Sequence, residues 1–218
     1  EFDRADVVFG PVYFHAGGER AGLGPSLWEW LGPSKAYAHP ADSTFEGGAP
    51  LGDVLEQFVV DMLQTAPSSL GRVAGLEGRA ESFEVQLHPP GYARAGSQAS
   101  RMADMDGHSF IFEGVARRDG EERPFVAEGF LGDLDPERAI TSIDADVALV
   151  DVSERPGPLL LRVQFQDWFR FVDFGALTEQ DAEGRFTLPA GTVEGDALRR
   201  GIRSRSTFGL EWSHSDAE

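Results

Sequence analysis

Three side chains in this sequence combine a type and a spacing that could do chemistry: Met102, Met105 and His108, an M-x-x-M-x-x-H pattern. Thioether and imidazole are the donors that suit copper(I) where thiolate is absent, and the chain has no cysteine. A spacing of three lets donors converge if the segment makes a helical turn. His15 or His88, each at the end of an expected strand, could complete such a site. The competing role is packing, because methionine at this spacing is ordinary core filling. Asp104 and Asp106, between the three, suit a solvated loop. Packing or a surface loop is the stronger expectation, and copper on Met102, Met105 and His108 is the alternative.

Other clusters point to less. Asp133, Asp135, Glu137, Asp144 and Asp146 supply carboxylates for calcium, but the EF-hand pattern fails at two places. Counted from Asp133, the sixth position is Arg138 instead of glycine, and the twelfth is Asp144 instead of a longer glutamate. Arg199, Arg200, Arg203 and Arg205 form the one basic concentration; in so acidic a chain they are expected to pair with carboxylates. The sequence holds no G-x-S-x-G, no phosphate-binding glycine loop and no H-E-x-x-H. With 37 acidic residues, chance carboxylate pairs are certain, so a glycosidase-type pair carries no weight without a distance. A non-enzymatic protein with no resident cofactor is expected.

Composition narrows the partners. The net charge is −18, from 37 acidic and 19 basic residues. A field of that sign repels phosphate backbones, which argues against nucleic acid as a partner. The lack of cysteine removes disulfides, thiolate zinc sites and cysteine nucleophiles together. No apolar run approaches the length of a transmembrane helix. The sequence starts at Glu1-Phe2, so a processed or trimmed start is expected, and a signal peptide or lipid-bearing cysteine would lie upstream.

The elements that must position these side chains read as short strands. Residues 6–15 form a first strand whose parity changes at Gly10-Pro11, where a bulge or an edge position is expected. Residues 16–50 form a long irregular loop with an aromatic knot, Leu27-Trp-Glu-Trp-Leu31, whose tryptophans are expected to pack. Residues 54–63 are ambiguous and tilt to strand. In 81–88, Phe83, Val85 and Leu87 point one way and Ser82, Glu84, Gln86 and His88 the other. A hairpin covers 109–116 and 123–131, with its turn through Asp119-Gly120. Strands follow at 145–152, 159–166, 186–188 and 206–212. The aromatic run 167–174 is expected to be a short helical turn over an open end of the core. A helix over 196–204 is capped by Asp196, with its arginines toward the C-terminal end. The sum is a mainly β chain. We expect an antiparallel β-sandwich of about eight to ten strands with one or two short helices, in a single domain over 1–218.

Four segments occur in a suggestive order: Phe58-Val-Val-Asp-Met-Leu, Asp106-Gly-His-Ser-Phe-Ile-Phe-Glu-Gly-Val-Ala, Trp168-Phe with Val172-Asp-Phe and Leu177, and Ala197-Leu-Arg-Arg-Gly-Ile followed by Phe208-Gly-Leu-Glu-Trp. Over residues 50–212 the set resembles poorly characterised exported lipoproteins of Gram-negative bacteria with a β-sandwich domain. That resemblance implies an envelope location, in the periplasm or at the outer-membrane surface, and a lipid anchor upstream. It implies no functional residues. The expected function is a non-enzymatic binding or interaction module of the bacterial cell envelope, with a protein or envelope partner of unknown identity. Its binding face is expected on the 16–50 loop and on the loop entering the hairpin, since loops on rigid sheets carry recognition. The alternative is a periplasmic copper-binding protein.

Overall fold

The structure is a computed structural model that describes residues 1–15, 50–69, 74–75, 78–91, 99–131, 140–149 and 159–212. Two five-stranded sheets dominate it. The first has the order β11-β8-β7-β1-β4, built from β1 (Phe2–Phe9), β4 (Phe58–Asp61), β7 (Phe110–Arg118), β8 (Glu121–Gly129) and β11 (Phe186–Thr187). The second has the order β5-β3-β2-β6-β9, built from β2 (Val12–His15), β3 (Pro50–Val54), β5 (Ala74–Gly75), β6 (Gly78–Val85) and β9 (Ile140–Leu149). A separate pair, β10 (Leu159–Val163) with β12 (Phe208–Trp212), runs beside β9.

One apolar core lies between the two large sheets. Val7, Phe9, Phe110, Phe112 and Phe125 reach it from the first, and Phe14, Phe83 and Val85 from the second. The architecture is therefore mainly β and sandwich-like, as the alternating strands imply. The described residues hold ten strands of four or more residues, in line with the expected eight to ten, and two further strands only two residues long. One pairing, β11 with β8, is parallel.

The parity change at Gly10-Pro11 has a different cause from the bulge or edge position expected there. The chain leaves one sheet as β1 and enters the other as β2, across a cis Gly10–Pro11 bond with Gly10 at φ +105°. Val7 and Phe9 before the step, and Val12 and Phe14 after it, thus face the same core from opposite layers. The 54–63 segment also splits. Its first residue ends β3 in the second sheet and Phe58–Asp61 forms β4 in the first, with exposed Leu55 between them. A uniform run of β-formers cannot show such a change of layer, because propensity describes single residues and not partners.

The hairpin forms as its turn chemistry requires. Asp119 and Gly120 both take positive φ, 53° and 86°, the pair of conformations of a type I′ turn, and Arg118 sits opposite Glu121. The aromatic run becomes a 3-10 turn, Phe165–Phe169, that buries Phe165, Trp168 and Phe169. Helix α1 is Ala99–Ala103 and helix α2 is Val193–Ile202. Asp196 is not the cap of α2. Thr192 caps it, accepting from Gly195 N at 3.1 Å, while Asp196 accepts from Gly191 N at 3.0 Å inside the first turn. Thr192 satisfies a donor that the helix start leaves unpaired, while Asp196 fixes the loop residue just before the cap.

Candidate functional site

The segment holding Met102, Met105 and His108 covers the outer face of the first sheet. Met102 and Met105 are buried there with Val8, Val59 and Ile111, in a cluster distinct from the main core. Arg101 fastens α1 to the sheet, donating Nη2 to Asp6 Oδ1 at 2.9 Å and Nη1 to the Val59 carbonyl at 3.2 Å. Arg4 holds the other Asp6 oxygen at 2.8 Å and reaches the Asp104 carbonyl at 3.2 Å. The structure thus brings both thioethers into one apolar contact set. Asp106 and Gly107 then turn left-handed, at φ 45° and 81°. His108 comes to lie against the Phe130 ring, 5.2 Å between centroids, with Nε2 4.0 Å from Glu128. Among the described residues no group of three His, Cys, Asp or Glu side chains is placed to share a metal.

The calcium carboxylates Asp133, Asp135 and Glu137 lie outside the described residues, as does the 16–49 part of the long loop with Trp28 and Trp30; Asp144 and Asp146 fall within strand β9. In the basic concentration, Arg199 is buried over the Phe110 ring and donates to Gly195 O at 3.1 Å. Arg203 donates to Leu131 O at 2.8 Å. Arg199 thus bonds within α2 and packs on β7, and Arg203 ties the end of α2 to the segment that follows β8, which gives both a structural use.

Strand β6 carries a feature the alternation only half revealed. Phe83, Val85 and Leu87 enter the main core as expected. The opposite row is buried as well: Ser82 is 0% exposed, Glu84 3%, Gln86 7% and His88 6%. Strand β2 extends it, since His15 pairs with Ser82 and Tyr13 with Glu84 in register, and His15 is buried too. Gln86 Nε2 donates to Glu84 Oε1 at 2.8 Å. Nearby, buried Gln57 clamps the turn after β6, donating to Pro89 O and accepting from Gly91 N, both at 3.1 Å. A polar row at these burials is expensive unless satisfied.

Burial lowers the pKa of His88, because the imidazolium loses more hydration than the neutral ring. The unfolded chain then binds more protons than the native one as the pH falls below the free-histidine value, so His88 adds stability above that value and withdraws it as the pH falls through the folded pKa. His88→Gln is expected to flatten this part of the pH dependence. Urea midpoints at neutral and mildly acidic pH should fall farther for the wild type than for the variant; an equal fall would refute the assignment.

A third feature is a cleft of about 470 Å3 between two sheet edges. One wall is β4 with the segment after it, from Val60 to Ser68, and the other is Leu160–Gln164. Phe9 contributes to the cleft from the end of β1. Val60, Met62, Leu161 and Val163 line it as well and also pack on the main core. Asp61, Gln64, Thr65, Ser68, Arg162 and Gln164 supply polar groups. Asp61 is held by its own turn, accepting from Leu63 N at 3.0 Å. The volume falls in the range of about 300–1,000 Å3 usual for ligand sites. No residue pattern announces it: β4 and β10 stand about a hundred residues apart, and neither carries a motif. No family model, no curated protein and no solved structure matches the chain.

Proposed function

We propose that the protein is a non-enzymatic binding module of the bacterial cell envelope, and that it binds its partner in the cleft between β4 and β10. The observation that carries the binding role is the cleft itself, an open volume with an apolar floor fixed to the main core and a polar rim. A floor packed on a rigid aromatic core costs little to preorganise, which favours recognition. The envelope location rests on the resemblance of the strand segments to exported lipoproteins. The strongly negative chain favours partners that are not polyanions.

Site-specific photo-crosslinking of the full-length protein in Gram-negative cells tests both parts. A photoreactive residue at Arg162 or Gln64 is expected to give defined adducts in the envelope fraction. The same residue at Asp119, on the hairpin tip at the far end of the first sheet, is expected to give none. Equal labelling at all three positions, or adducts confined to the cytosol, would overturn the proposal.

A further inference from the structure

The backbone around the cleft specifies its occupant more closely than the side chains do. Strand β10 pairs with β12 on one side, with Leu161 opposite Leu210 and Arg162 opposite Gly209. Gln164 N donates to Thr207 O at 2.8 Å, which fixes the alternation. In an antiparallel pair the residues alternate between bonding across and turning their N–H and C=O away. Arg162 therefore bonds to β12, while Leu161 and Val163 direct their backbone groups to the other side, toward the cleft.

The facing edge is different. Met62 N donates to Ala5 O at 2.7 Å, so Val60 bonds to β1, and Val59 and Asp61 turn outward. Their carbonyls already have donors: Arg101 Nη1 serves Val59, and Gln64 N serves Asp61 at 3.3 Å. Among the described residues the cleft thus has one wall whose outward carbonyls are taken and one wall, β10, that is an open strand edge. Edges are usually blunted by proline, by several charges or by a bulge. The Leu-Leu-Leu-Arg-Val sequence of β10 has none of these beyond Arg162.

We propose that the cleft accepts one extended segment of a partner polypeptide, which adds a strand to β10 by bonding to the backbone of Leu161 and Val163. Unpaired N–H and C=O groups at strand spacing are met best by another backbone, and alternate side chains then face the apolar floor and the solvent. The charge selects among polypeptides. At −18 the chain repels acidic segments and a second copy of itself, and attracts a segment whose solvent-facing residues are basic. The occupant is therefore a basic, alternating apolar–cationic stretch. This rests on the binding role proposed above and names its partner class.

The probe is a synthetic octapeptide alternating valine and lysine, beside three controls: a scramble of the same composition, and two forms of the same peptide, each N-methylated at the amides of one of its two edges. Binding to the purified full chain is read by fluorescence anisotropy, and the Leu161 and Val163 amides by hydrogen exchange. The alternating peptide is expected to bind and to slow exchange at Leu161 and Val163 by about tenfold or more. The peptide methylated on its β10-facing edge is expected to bind about tenfold more weakly, through the loss of its donors. Equal affinity of the scramble or of both methylated forms would show attraction by charge alone and overturn strand addition. So would binding without protection of Leu161 and Val163, no binding at all, or a protein that self-associates through β10. Cleft crosslinks in cells with failure of the peptides would sink this inference and leave the binding role standing; absence of the crosslinks would sink the role itself.

Discussion

Gly10→Ala is expected to destabilise the protein by about 2–6 kcal/mol, the sum of a strained backbone and a steric overlap of about 1–3 kcal/mol each. Gly10 sits at φ +105°, where a side chain is strongly disfavoured, and a Cβ there would lie 2.1 Å from the Glu56 carbonyl oxygen. That oxygen belongs to backbone, so no side-chain rotation relieves the overlap. The residue also joins the two layers, with its own N–H donating to Gln86 O at 2.8 Å and Gln86 N returning a bond to Pro11 O at 2.9 Å. A shift of Gly10 would therefore disturb β1, β2 and β6 together. Urea unfolding followed by tryptophan fluorescence measures the loss. Gly209→Ala is the control, because nothing lies within 4 Å of a Cβ at that position; it is expected to change stability little. A Gly10→Ala loss no larger than that of the control would show that the step between layers tolerates a side chain.

Trp168→Ala is expected to cost about 3–5 kcal/mol, the range for truncating a buried large aromatic. Trp168 is 0% exposed and meets Phe112, Phe165 and Phe208 at centroid distances of 6.0, 6.5 and 5.9 Å. Its Nε1 donates to Thr207 Oγ1 at 2.8 Å, and Thr207 in turn donates to Ser204 O at 2.8 Å. Helix α2 approaches so closely that a Cβ on Gly201 would lie 2.0 Å from the Trp168 carbonyl oxygen. The tryptophan therefore seats three things at once: the 3-10 turn, helix α2 and the start of β12. Thr207→Val separates the hydrogen bond from the packing. It leaves a buried indole N–H without its acceptor and is expected to cost about 1–3 kcal/mol. Beyond the denaturant midpoint, hydrogen exchange in β10 should accelerate in Trp168→Ala, since Gln164 N and Thr207 O link the two strands beside it. Unchanged β10 exchange would show that the strand pair stands without this seat.

The alternation of residue types carried the mainly β character, the hairpin and the aromatic turn. Each is a local pattern: period-two alternation for the strands, Asp119-Gly120 for the turn, four aromatics in eight residues for the covering turn. The C-terminal helix was legible too, but its cap was not, because Thr192 and Asp196 are both good N-terminal acceptors and only the path of the chain decides which of them meets Gly195 N. The M-x-x-M pattern was legible as a pair of side chains on one turn, and the structure places that pair in apolar packing. The left-handed Asp106-Gly107 step, which gives His108 other neighbours, is a tertiary choice.

By itself, then, the sequence determined what each short segment prefers and which faces of it are apolar. Three things were decided only by the tertiary structure. The change of layer at Gly10 depends on which strand each half pairs with. The burial of Ser82, Glu84, Gln86 and His88 depends on how densely the chain packs around β6, and polar residues on a strand face look the same in sequence whether they meet solvent or protein. The cleft depends on two strand edges, about a hundred residues apart, ending beside each other without pairing. Side-chain pattern governs the first kind of fact; backbone hydrogen bonds, which every residue type but proline can make in full, govern the second. An open edge therefore leaves no trace in residue type and becomes visible only when the neighbours are in place.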